Sequence, residues 1–429
     1  MSNKSAKFGL FSIVLLGINS IIGSGIFGLP GTAYKFLGPA SVFALLFCMV
    51  LSVSIALCFA EAASYFDKDG GPFLYVKDAF GDFAGWLVGS MKVLISMIAW
   101  AAMAVFFATT LGSAFPSLAN TFAKNLISGS LIIFLSVLNL LGLKTSKMVN
   151  NIITFGKLIP LIVFIIVGIF FIDPANFSPF VVVSQGNSVS SAFASASIVL
   201  FYAFTGFESV AVAAKDMNDP KRNVPKALIL VMAIVSLFYL LILIVSIGIL
   251  GMNLNGASMP VALAFQQVLG DFGLWFITIG TAISVGGINM AASFLTPRSV
   301  VALSDQKMLP TIVSKENSKH APYISIIIAM VLTLAMALSG TFSQLAQISV
   351  VSRFIQYIPT CLAVLVFRKK YPDQSGYRMP LGKIIPIFAI LVSVVLLIAA
   401  GIEAPYKILF GLGGLIIVAP FYPLIKKIN

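Results

Sequence analysis

The chain has 429 residues, of which 59% are apolar and 10% charged, with a formal net charge of +13. Soluble domains run at roughly 45–50% apolar and about 25% charged, so these residues cannot assemble a water-facing globular surface, and a soluble enzyme is excluded. Nucleic-acid binding is excluded too, because the basic residues fall in short clusters between apolar runs and not on the basic face of a polar fold.

What remains is an all-α integral membrane protein. A membrane helix takes about 20 predominantly apolar residues. Such segments are expected at 8–36, 39–66, 83–116, 124–143, 148–172, 190–215, 225–251, 268–304, 322–340, 342–367, 384–402 and 405–425. Twelve spans leave short connections and no room for a soluble domain. The first span continues too far for a cleavable signal peptide and lacks a small-residue cleavage pattern. With the N-terminus in the cytosol, 21 Lys and Arg residues lie on the inner side, against Lys35, Lys124 and Lys407 outside. That asymmetry predicts a multi-pass cell-membrane protein with both termini cytoplasmic.

In chain order, the first span carries the first signal, Gly17-Ile-Asn-Ser-Ile-Ile-Gly23-Ser24-Gly25-Ile26-Phe27-Gly28-Leu-Pro30. Glycine and proline at this density weaken a helix wherever it sits. The run matches G-x-G-x-x-G, but a dinucleotide site needs a preceding strand and an acidic residue roughly 20 positions later. Here the first acidic residue is Glu61. The same glycines can expose backbone N–H groups at a half-helix N-terminus, which attracts a carboxylate; close packing through small residues is the plainer alternative. Cys48, Cys58 and Cys361 lie in apolar stretches without paired spacing. They read as small buried hydrophobes, neither disulfide nor metal ligands.

Lys92 in the third span is read as snorkelling towards the cytosol. Lys157, mid-span in Phe155-Gly-Lys157-Leu-Ile-Pro160, lies too deep for that. Asn176-Phe-Ser178 is a glycosylation sequon by pattern only. The sixth span, Phe201-Tyr-Ala-Phe-Thr-Gly206-Phe-Glu208, places a glycine and a carboxylate inside an apolar run. Ionisable groups at membrane depth are functional candidates by default, which singles out Lys157, Glu208 and Arg353 as well as Lys92. Glu208 reads equally as a proton-responsive carboxylate or as a strut bonded to helix one or eight. His320, the single histidine, is expected in a solvated loop. Spans one and six are matching members of two five-helix halves. A pair of Gly-interrupted spans at corresponding positions points to a transporter site built from inverted repeats.

Several of these motifs resemble those of the amino acid–polyamine–organocation (APC) transporters. Ile22-Gly-Ser-Gly-Ile-Phe27 resembles their first-helix signature, and Glu61 followed by Asp69-Gly-Gly-Pro-Phe-Leu-Tyr75 the segment between helices two and three. Phe201 to Glu208 with Asn218-Asp-Pro-Lys-Arg-Asn-Val-Pro-Lys226 resembles helix six and its loop. Asn289 through Pro297-Arg298 to Leu309-Pro310 resembles helix eight, while Arg353-Phe-Ile-Gln-Tyr357 and Phe367-Arg-Lys-Lys-Tyr-Pro-Asp373 resemble helix ten and its exit.

The resemblance implies a five-plus-five inverted repeat, about 8–172 and 190–367, with discontinuous helices one and six and two extra helices at about 384–425. It implies that the substrate carboxylate meets the amides of Gly23, Ser24 and Gly25. The ammonium would meet carbonyls of Ile21, Tyr202, Ala203 and Thr205. Ile26 and Phe204 complete the binding segments, and Tyr202 takes the place of an aromatic gate. Broken-helix N–H groups suit an anion and freed carbonyls a cation. In sodium-coupled relatives of the fold an ion lies between helices one, five and eight. The L-type and cationic branches carry a lysine near there, so Lys157 is assigned a coupling or conformational role.

The expected function is secondary transport of amino acids by alternating access, independent of sodium. Neutral L-amino acids are favoured, by exchange or proton-linked uptake, because Glu208 is the single acidic residue near the breaks. Cationic amino acids or polyamines are the alternative. A membrane-embedded enzyme is a distant one, since no facing acid–base pair or metal-ligand spacing is present. No cofactor, metal, nucleic acid or obligatory protein partner is expected; the partners are the substrate and the bilayer.

Overall fold

The computed structural model describes residues 9–66, 71–142, 147–183, 188–212, 219–372 and 376–423. Among them are fifteen α-helices and no strand. In chain order these are α1 (Leu10–Ile21), α2 (Ser24–Leu37), α3 (Ser41–Ser64), α4 (Pro72–Phe80) and α5 (Asp82–Ala114). Next come α6 (Thr121–Leu140), α7 (Lys147–Gly168), α8 (Val189–Ala203), α9 (Glu208–Val212) and α10 (Pro220–Leu250). The last five are α11 (Pro260–Asp305), α12 (Tyr323–Ser339), α13 (Phe342–Lys370), α14 (Ile384–Glu403) and α15 (Pro405–Val418).

Among the described residues, each expected apolar segment is largely helical, and the first and sixth are each split in two, as α1/α2 and α8/α9. By length and composition, eight helical stretches among the described residues can cross a membrane: Ser24–Ser64, Asp82–Ala114, Thr121–Leu140, Val189–Val210, Arg222–Leu254, Pro260–Asp305, Phe342–Lys370 and Ile384–Glu403. The first of these turns at Gly38, where φ is +65°, and so holds both α2 and α3. Gly156–Phe171, Tyr323–Ser339 and Pro405–Phe421 are shorter apolar helices.

Two helices were not expected. α4 is a short element ahead of α5, begun by Pro72 in its first turn and ended at Gly81, whose φ is +92°. α11 begins at Pro260 and changes direction at Gly270, where φ is +61°. Both stretches are too short for a hydropathy signal, and their boundaries are set by backbone angles.

The end of the bundle where α1 begins is termed the near face and the opposite end the far face. On the near face Trp86 Nε1 donates to Met308 O at 2.9 Å and the Met379 N–H to Glu61 Oε2 at 2.9 Å. On the far face the Ala40 N–H donates to Phe180 O at 2.9 Å and the Gly256 N–H to Gly31 O at 3.0 Å. Asn176, the residue of the sequon, is used structurally there: its Nδ2 donates to Gly248 O at 2.7 Å. Around the centre, α5 packs on α11 and α13, α7 on α11, α3 on α10 and α8, and α1 on α10, while α2 lies along α8.

Candidate functional site

Helix breaks free backbone groups that must find partners, because lipid offers none. At the first break, the carbonyls at the end of α1 are filled from within the protein. The Ile22 N–H donates to Ile18 O at 2.9 Å. Lys157 Nζ, fully buried on α7, donates to Asn19 O at 2.6 Å and to Ile22 O at 2.9 Å. Tyr239 on α10 shares its one hydroxyl proton between Ile21 O at 3.1 Å and Ala203 O at 3.0 Å, and so bridges the two breaks.

The amide side differs. Gly23 is the N-cap of α2 and gives it no side-chain hydrogen bond, although Ser24, Gly25 and Ile26 are all buried. The Lys157 amine is thus already held at the carbonyl end, and buried uncapped N–H groups stand at the other. That polarity suits an anion.

Each expected site residue has a defined place. A Cβ on Gly25 would lie 2.7 Å from Ala203 Cα, so this glycine packs on the α8 backbone. Packing through a small residue, the plainer alternative, explains Gly25. A Cβ on Gly23 would meet Ile288 Cδ1 at 3.0 Å, the tip of a flexible side chain. Ser24 lies within hydrogen-bond reach of the Tyr202 side chain. Ile26 is buried, and Phe204 is buried with its ring 5.2 Å from that of Tyr239. Of the carbonyls assigned to the ammonium, Ile21 O and Ala203 O already accept from Tyr239. Tyr202 O accepts the Thr205 N–H at 3.1 Å and the Thr205 hydroxyl at 2.8 Å. Ile21 O and Ala203 O each keep a second lone pair, whereas Tyr202 O already accepts twice.

One expectation about a charged group is corrected. Glu208 is braced by helix ten and not by helix one or eight. Arg353 Nη1 pairs with its Oε1, while Tyr357 Oη donates to Oε2 at 3.2 Å and the Gly206 N–H to Oε2 at 3.0 Å. Lys92 is half-buried and within electrostatic reach of Glu208.

Elsewhere, Glu61 is fully buried and held by Arg368 through two 2.6 Å hydrogen bonds. Asp69, Gly70, Asn218 and Asp373, which belong to the expected motifs, lie outside the described residues.

The site is closed on one side. Phe106 and Phe342 pack with centroids 4.5 Å apart, and Tyr202 meets Phe342 edge-on at 5.9 Å. From Ser24 to Gly31 every residue is buried, whereas Ser20 is exposed and Gly23, Gly206 and Ser209 are half-buried. The breaks are therefore sealed from the far face and accessible from the near face. Tyr239, Phe106 and Phe342 escaped the sequence reading. A tyrosine hydroxyl in the middle of the α10 apolar run was the available signal, since a buried hydroxyl seeks a partner. The two phenylalanines carry no signal among 37.

Residues 8–422 match the family model described as amino acid permease. The chain is 35% identical over 415 residues to an uncharacterized transporter of Mycobacterium tuberculosis, covering 90% of this chain and 86% of that one. It is 27% identical over 415 residues to the branched-chain amino acid permease BcaP of Bacillus subtilis, with 92% and 88% covered. With the serine/threonine exchanger SteT of Bacillus subtilis it shares 28% identity over 436 residues, with 98% and 97% covered.

Proposed function

The chain belongs to the amino acid permease family, and we propose that it carries neutral L-amino acids across the cell membrane by alternating access, without sodium, through exchange or proton-linked uptake. The observation that carries the preference for neutral substrates is the state of Glu208. This carboxylate beside the breaks already accepts from Arg353, Tyr357 and the Gly206 N–H, so it has little left to offer a cationic side chain. In this reading the α-carboxylate binds the amides of Gly23, Ser24 and Gly25 at the uncapped start of α2. The ammonium is held among the carbonyls of Ile21, Tyr202, Ala203 and Thr205, where Ile21 O and Ala203 O each keep a second lone pair. Exchange is supported by the likeness to a serine/threonine exchanger.

Sodium independence rests on Lys157. Its ammonium occupies the carbonyls of Asn19 and Ile22, oxygens that a bound metal cation would otherwise use. Twelve crossings in a five-plus-five repeat are supported by the packing partners. If the first half is superposed on the second, the pair α5–α13 becomes α11–α7, and α1–α10 becomes α8–α3; both counterparts are in contact. With both termini cytosolic, the sealed far face is the outside, and the conformation is inward-facing.

The test is uptake of a panel of labelled neutral, cationic and anionic amino acids in proteoliposomes, with and without internal substrate. Uptake of neutral amino acids, stimulated by the same substrate inside, is expected. Preferential uptake of lysine or arginine would overturn the neutral assignment.

A further inference from the structure

Lys92 is a cation that the reading above leaves without a task. On an α-helix, residues step by about 100° and 1.5 Å, so Phe106, 14 positions on, lies about 40° round the helix axis from Lys92 and about 21 Å along it. Phe107 and Gly89 lie about 60° away on the other side. Phe106 packs on Phe342, and Cβ atoms on Gly28, Gly286 and Gly89 would meet Phe106, Phe107 and Leu303 respectively. Lys92 therefore points between α13 and α11, into the middle of the bundle, about four turns to the near-face side of the aromatic seal. Met91 and Leu94, which lie against Gly414 of α15, face another way.

Its charge is unmatched. Lys92 is within electrostatic reach of Glu208, but Glu208 is paired with Arg353, and among the described residues Lys92 Nζ has neither an ion pair nor a hydrogen bond. Two cations thus face one carboxylate on the near-face side of the breaks. A partly desolvated ammonium in that position favours an anion, because a charge removed from water needs a partner. We propose that Lys92 is a second carboxylate subsite, which receives the α-carboxylate of an amino acid as it passes between the start of α2 and the near face. This inference rests on amino acids being the substrates. The two carboxylate positions act in sequence: uncapped amides hold the anion while the far face is sealed, and Lys92 binds it on the way in or out.

The test uses the full-length protein in proteoliposomes of defined orientation, with labelled L-leucine and L-serine as probes and apparent KM measured from each face. Lys92→Gln is expected to raise the near-face KM about ten- to a hundredfold, the scale of one charge-assisted hydrogen bond net of hydration. The far-face KM should stay unchanged, and Lys92→Arg should restore the near-face value. Lys92→Met, which keeps the apolar stem, serves if the Gln variant is not monodisperse. Unchanged KM values on both faces would overturn the subsite. Equal shifts on both faces would overturn it too, as would shifts of opposite sign, which mark a changed balance of conformations. A wild-type protein inert to both probes would overturn the transport reading and the subsite with it, and is recognised because the parent itself fails.

Discussion

Lys157 and Glu208 solve the same problem, a buried charge, in different ways. Lys157 uses backbone carbonyls at the end of α1 as its partners. Hydrogen bonds to a charged group are worth about 1.5–3 kcal/mol each. If they exist in one conformation and not in the other, they bias the equilibrium between the two states. Lys157→Ala should therefore change the inward–outward preference and slow turnover while leaving a monodisperse protein; wild-type turnover with unchanged affinities on both faces would make Lys157 purely structural. Lys157→Arg should rescue poorly, because a planar fork cannot take the place of a compact ammonium between two carbonyls. Glu208, by contrast, is tied to Arg353 and Tyr357 on α13. Removing one partner of a buried pair leaves an uncompensated charge and costs roughly 3–5 kcal/mol. Arg353→Met should lower thermal stability in detergent by that amount, and Glu208→Gln combined with Arg353→Met should recover part of it. A double variant no more stable than Arg353→Met alone would mean that the pair is not coupled.

At the scale of elements, the two broken helices are held together by close backbone approach. Gly206 has φ of +113°, and a Cβ there would lie 3.0 Å from the Ser20 carbonyl carbon, so conformation and space both demand glycine. Gly25 is pressed on the α8 backbone at Ala203. A methyl group at that point must push α2 away from α8, and overpacking of this kind costs about 1–3 kcal/mol. Gly25→Ala should lower both the melting temperature and uptake, and Gly25→Leu should abolish uptake. Gly23→Ala meets only the tip of Ile288, so it should weaken substrate binding with little loss of stability. Equal melting temperatures for wild type and Gly25→Ala, measured by thermal shift, would contradict the packing role. Wild-type affinity in Gly23→Ala would separate the start of α2 from the site.

For the whole molecule, transport should continue at full rate when choline replaces sodium at constant pH and ionic strength. A saturable sodium requirement would show that Lys157 does not stand in for the ion. The 21-to-3 division of basic residues predicts that tags on both termini are cleaved by an impermeant protease only from the cytosolic side.

Composition and hydropathy alone determined that this is a helical membrane protein, since a low-dielectric surroundings penalises every unpaired polar group wherever the chain folds. The Gly-interrupted runs at Gly23–Gly28 and Gly206 likewise marked the breaks of α1/α2 and α8/α9, because a missing side chain weakens a helix locally. The depth of Lys157 in its span was legible for the same reason. Direction was not. Whether Lys92 snorkels or points inward depends on which helices surround α5. The partner of Glu208 lies 145 positions away on α13. The Tyr239 bridge and the Phe106–Phe342 seal join helices distant in sequence. Those contacts arise only when the bundle packs, and no local pattern encodes them.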